Sequence, residues 1–288
     1  MTRISGPRAH GLTLVGAVAL MALAAACTTG GSGSPAPTPV KIYESNLSPL
    51  PGNVSSQGFQ CCQTSEFGDQ IQFAGTARNL QSATVTMSNW AIHSTLANQS
   101  FGDAVGWDQQ LTLNIYAVGA NDGLGNPTKG APLGTRTQTF HIPWRPEPDP
   151  TNCPTKTSPG YEYKFQAAPG PADSSCFNGL ANQVTFDLSA LHLTAPSQVV
   201  WGVAYNTQSY GLAPTGQDGP YNSLNVGAQG SGATVGTDVD VASAWIQTAF
   251  NPFMCDNGAG GTNVFRPDVC APGSDWTGLT PEISFMAT

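Results

Sequence analysis

The chain has 288 residues, a formal net charge of −8, 40% hydrophobic residues and only 10% charged ones. Removing residues 1–26 takes away Arg3 and Arg8 and no acid, which moves the charge to −10; that balance argues against nucleic acid and against a polybasic membrane contact. The hydrophobic fraction argues against disorder and suffices for a sizeable core.

Residues 1–26 read as a secretory signal. Arg3 and Arg8 open it, Leu12 to Ala26 is apolar and uncharged, and Leu23-Ala24-Ala25-Ala26 leads into Cys27. A run of about 15 apolar residues is short for roughly 30 Å of hydrocarbon. The stretch resembles a bacterial lipoprotein signal, although Ala24 stands where Leu is usual. That resemblance implies cleavage before Cys27, lipid on Cys27, and an extracytoplasmic protein anchored to the outer face of the cell membrane. An ordinary cleaved signal with an incidental cysteine is the alternative. Residues 27–39 follow as the lipidated cysteine and a linker, Gly/Ser first and Pro later, and residues 40–288 read as a single domain.

Strand signals fill that domain. Ile71 and Phe73 alternate with Gln70 and Gln72, and Val85 and Met87 with Thr84, Thr86 and Ser88. Leu111, Leu113 and Ile115 alternate with Thr112 and Asn114; Thr135 to Ile142 is Thr-rich and stops at Pro143. Val184, Phe186 and Leu188 alternate with Thr185 and Asp187, and Ile283 and Phe285 close the chain. Val199 to Tyr205 is almost wholly apolar, as a central strand covered on both faces would be. A helical turn is expected around residues 240–250. Many strands, many turns and no long helix predict an all-β antiparallel β-sandwich, jelly-roll-like, with long loops at 143–182 and 206–281.

With Cys27 set aside, Cys61, Cys62, Cys153, Cys176, Cys255 and Cys270 remain, an even count that suits disulfides outside the cell. Spacing suggests Cys153 with Cys176 and Cys255 with Cys270, each closing a loop worth about 3 kcal/mol. Cys61 and Cys62 are left. Their Cα atoms lie about 3.8 Å apart, below the usual disulfide span of about 4.4–6.8 Å, so a strained bond and two free thiols both stay open.

Candidate chemistry is sparse. His93, His141 and His192 lie in no nucleophile or metal motif, and no G-x-S-x-G elbow occurs. Glu66 and Asp69 are the carboxylate pair nearest to what glycoside hydrolysis needs, and turn roles explain them equally well. Asp238, Asp240 and Asp256 offer hard oxygens for a structural calcium, without matching a twelve-residue calcium loop. No other cofactor is expected. Trp107, Trp144, Tyr210, Tyr221 and Trp276 sit beside Gly, Pro or Asp in apparent loops, where aromatic faces can stack on sugar rings.

Leu50-Pro51-Gly52-Asn53-Val54, Thr64-Ser65-Glu66-Phe67-Gly68-Asp69-Gln70, Val85-Thr86-Met87-Ser88-Asn89-Trp90, Cys176-Phe177-Asn178-Gly179-Leu180-Ala181 and Ser223-Leu224-Asn225-Val226-Gly227 resemble a family of uncharacterised exported bacterial proteins, over most of residues 42–288. The resemblance implies export and a β-rich domain and carries no activity. Its members usually lack cysteines at positions 61 and 62, which implies that these two pair with each other. The expectation is a membrane-tethered surface module that binds a glycan or envelope polymer without catalysis. A glycan hydrolase or lyase, and a structural protein binding other envelope proteins, are the alternatives.

Overall fold

Two-residue alternation becomes two antiparallel sheets whose apolar faces meet, an all-β sandwich. The computed structural model describes residues 37–59, 64–94, 99–123, 125–149, 177–205, 223–241, 243–249, 251, 254–270 and 278–288. Expectations for the signal segment, Cys27, Cys61, Cys62, Cys153, Cys176, Tyr210, Tyr221 and Trp276 lie outside the described residues.

The chain crosses between the sheets repeatedly. β1 (Val40–Glu44) and β2 (Ser55–Gly58) belong to the first sheet, β3 (Thr64–Gln72) to the second, and β4 (Leu80–Asn89) to the first. β5 (Gly106–Val118) and β6 (Lys129–Pro143) form a long hairpin in the second sheet. β7 (Leu180–Asp187) returns to the first, β8 (Gln198–Ala204) to the second, and β9 (Leu224–Gln229) to the first. β10 (Thr237–Asp238), β11 (Trp245–Thr248) and β12 (Arg266–Pro267) extend the second sheet. β13 (Thr280–Pro281) and β14 (Ile283–Ala287) complete the first.

β3 and β8 lie at the centre of the second sheet, with β11 beside β3 and β5 beside β8. Their register sets Phe67 opposite Val203, and Val203 opposite Leu113. These three point inward against Val85, Met87, Phe186 and Phe285 of the first sheet, in one core. Each such side chain contributes about 1.5–3 kcal/mol by leaving water. The central strand expected at Val199–Tyr205 is covered on both faces. Val199, Trp201 and Val203 face the main core, and Val200 joins Tyr116, Trp245 and Phe265 in a smaller cluster outside the sheet.

One local expectation is corrected. In place of a helical turn around 240–250, Trp245–Thr248 is a fully buried strand hydrogen-bonded to β3 and β12. Pairing with a distant strand overrides local preference there. The Cys255–Cys270 disulfide is present and closes the segment that covers the smaller cluster.

Candidate functional site

The clearest anomaly lies in β3. Phe67, Asp69 and Ile71 alternate onto the inward face, so a carboxyl occupies a core position and is 1% exposed. β10 pairs with the end of β3, Asp238 opposite Ile71, and Val239 N–H donates to the Gln70 carbonyl at 3.2 Å. Continuing that register brings Asp240 across from Asp69. Asp238 and Asp240, two apart, thus join Asp69, with one oxygen from each carboxylate within 4.8 Å of the others.

The cluster has few donors. Asp69 Oδ1 accepts from Gln70 N–H at 2.7 Å, while its Oδ2 has no hydrogen-bond donor. Asp238 accepts from Asp240 N–H at 3.2 Å and from Thr280 Oγ1 at 3.1 Å. Asp240 Oδ2 accepts from Trp245 Nε1 at 2.8 Å, while Oδ1 has no donor. Burial most of all, then the charges of Asp240 and Asp238 and the side-chain contact with Asp240, hold the Asp69 carboxyl well above the ordinary range. Burial raises Asp238 and Asp240 too, against their hydrogen bonds. An oxygen-only donor set of this kind suits a hard cation.

Asp256, the third carboxylate expected to serve a metal, is elsewhere. It pairs with Arg266 at 2.8 Å and accepts from the amides of Gly258 and Gly260. Burial pushes its pKa up, but the Arg266 hydrogen bond and the amides outweigh it, so the net shift is downward. It ties a turn, and the guanidinium takes the place a cation would need.

Glu66 occupies the opposite face of β3. It is 2% exposed, and its carboxylate reaches across β8 because Gly202 has no side chain to block it. On the far side Asn114 Nδ2 donates to Oε1 at 2.9 Å and the Tyr116 hydroxyl at 3.0 Å. Burial raises Glu66, and the two donors and the Lys129 charge pull it back only in part. Glu66 and Asp69 therefore lie on opposite faces of one strand, and cannot flank one glycosidic bond as paired carboxylates must.

Beyond Tyr116 lies a cavity of about 220 Å³. The β5–β6 loop contributes Asp122 and Asn126 and the start of β6 Lys129; the segment before β12 contributes Val264 and Phe265, and β12 itself Arg266. Lys129 Nζ stands 4.5 Å from the Tyr116 ring and 5.8 Å from that of Phe265. The Phe265 wall is braced by the Cys255–Cys270 bond, the Arg266–Asp256 pair, and Cys255 N–H donating to Asp268 at 2.7 Å.

The aromatic platform needs correction where it is described. Trp107 is 1% exposed and Trp144 7%; they stack in the core with centroids 4.7 Å apart, and Trp144 Nε1 donates to the Asp103 carbonyl. Trp107 belongs to the inward row of β5 that continues through Leu111, Leu113 and Ile115, not to a loop. His141 lies 3.0 Å from the exposed Asp108. Sequence reasoning missed Asn114, Tyr116, Trp245 and the cavity residues. Asn114 and Tyr116, two apart on a strand, carried the available signal.

Comparison with protein-family models, curated proteins and solved structures finds no match. Among the described residues no helix is long and apolar enough to cross a membrane.

Proposed function

We propose that the protein is a non-enzymatic binding module, exported and held on the outer face of the cell membrane by lipid on Cys27, and that it takes a glycan or related envelope polymer. The observation that carries this reading is the cavity between the β5–β6 loop and the Phe265 segment. Sugar recognition needs fixed donors and acceptors around an apolar surface. Asp122, Asn126 and Lys129 supply the first, and Phe265 and Val264 the second. A volume of about 220 Å³ is below the roughly 300 Å³ at which drug-sized pockets begin, so it suits one sugar unit of a longer chain. The separation of Glu66 from Asp69 weighs against the hydrolase alternative. As inorganic partner we propose calcium at Asp69, Asp238 and Asp240, from the all-oxygen donor set.

The test is retention on insoluble polysaccharides and purified peptidoglycan, with release of reducing ends followed in the same samples. Retention without release, reduced at least fivefold by Lys129→Ala or Asn126→Ala, is the expected result. Release of reducing ends would overturn the non-enzymatic reading, and absence of retention on every polymer would overturn the glycan.

A further inference from the structure

We propose that calcium at Asp69, Asp238 and Asp240 organises the ligand cavity through Trp245. This inference rests on the cation of the proposed function and not on the glycan.

Two observations point to an ion. The first is the cluster: one oxygen from each of the three carboxylates lies within 4.8 Å of the other two, close enough for one cation to reach all three. The second is the pair of buried oxygens, Asp69 Oδ2 and Asp240 Oδ1, that receive no donor from the rest of the chain, with the two side chains facing each other. Only a proton shared between the two side chains, or a cation, satisfies both. A shared proton would serve Asp69 and Asp240 alone, whereas a cation is within reach of an oxygen of Asp238 as well. The free oxygens are the ones left over once Gln70 N–H and Trp245 Nε1 have taken their partners.

The link to the cavity runs through one side chain. Trp245 donates to Asp240 from its indole nitrogen, and its ring packs 5.6 Å from Phe265. Phe265 lines the cavity. Trp245 is wholly buried and held between β3 and β12, so the orientation of Asp240 is passed to Phe265 by contact between packed groups. Without the ion Asp240 loses a ligand contact at its other oxygen, and the acceptor of the indole is less firmly placed.

The experiment uses the purified oxidised chain, dialysed against chelator and titrated with calcium chloride, with magnesium chloride in parallel. One calcium per chain is expected, with a Tm rise of about 5–10 °C at calcium a hundredfold above its Kd. Asp69→Asn and Asp238→Asn should each weaken calcium at least tenfold. Amide exchange at residues 261–268 should slow at least threefold on adding calcium. Trp245→Phe should keep calcium affinity within about threefold and make those exchange rates insensitive to it. Absence of calcium binding and of any Tm rise in the wild-type chain would overturn the cation and this inference together. Calcium binding that protects residues 237–245 but not 261–268, or equal protection in Trp245→Phe, would overturn the coupling alone.

Discussion

Gly202 and the Glu66 carboxylate share one space. A Cβ built on Gly202 would stand 2.3 Å from Glu66 Oε1, so the missing side chain on β8 is what lets a β3 carboxylate meet Asn114 and Tyr116 on β5. Gly202→Ala should overpack this contact and cost about 1–3 kcal/mol in denaturant unfolding. In Glu66→Ala the same change should cost far less, so a double-mutant cycle should give a coupling of at least about 1 kcal/mol. Additive effects would show that the two positions are independent.

The same carboxyl makes stability depend on pH. Burial raises Glu66 above its ordinary range, so the folded chain holds the proton more tightly than the unfolded one. Its stabilising contribution is complete below the unfolded value of about 4.3 and is lost as pH rises through the folded value. Glu66→Gln cannot ionise. Urea unfolding from pH 4 upward should show the variant gaining on the wild type by about 1.4 kcal/mol per pH unit inside that window, then levelling. A constant difference across the range would contradict the assignment.

Trp107 and Trp144 should report on stability and not on binding. Trp144→Phe removes the indole donor to the Asp103 carbonyl and should cost about 1–3 kcal/mol; Trp107→Ala should cost about 3–5 kcal/mol. Retention of folded Trp144→Phe on any polymer should match the wild type. A selective loss of retention would return that ring to the binding surface.

Removing the Cys255–Cys270 bond tests the brace of the cavity. The bond closes a separation of 15 residues, for which loop entropy gives about 3 kcal/mol. Replacing both cysteines with alanine should lower the denaturation midpoint accordingly and weaken polymer retention more than Trp144→Phe does. Full retention after loss of the bond would detach the Phe265 segment from binding.

How far these features were legible depends on the range of the interactions behind them. The strands at Leu111–Ile115 and Val184–Leu188 could be read because alternation is local. The same alternation, run back from Ile71, places Asp69 inward, and run back from Leu111 it places Trp107 inward; flanking Gly68 and Gly106 disguised both as turns. The meeting of Asp69 with Asp238 and Asp240 was not legible, since it follows from β10 pairing with β3 across most of the chain. Trp245 was hidden for a related reason: its strand exists only because β3 and β12 flank it.

The pairing of β1 with β14 has a topological consequence. Val40 lies opposite Ala287, and the Thr288 carbonyl accepts from Asn79 N–H, so the first and last strands of the sandwich run side by side in one sheet. A linker of a few residues from Thr288 to Val40 would therefore close the domain into a ring. New ends cut at the exposed residues Ser189 and Ala190, in the short 3-10 helix between β7 and β8, would give a circular permutant with every strand intact.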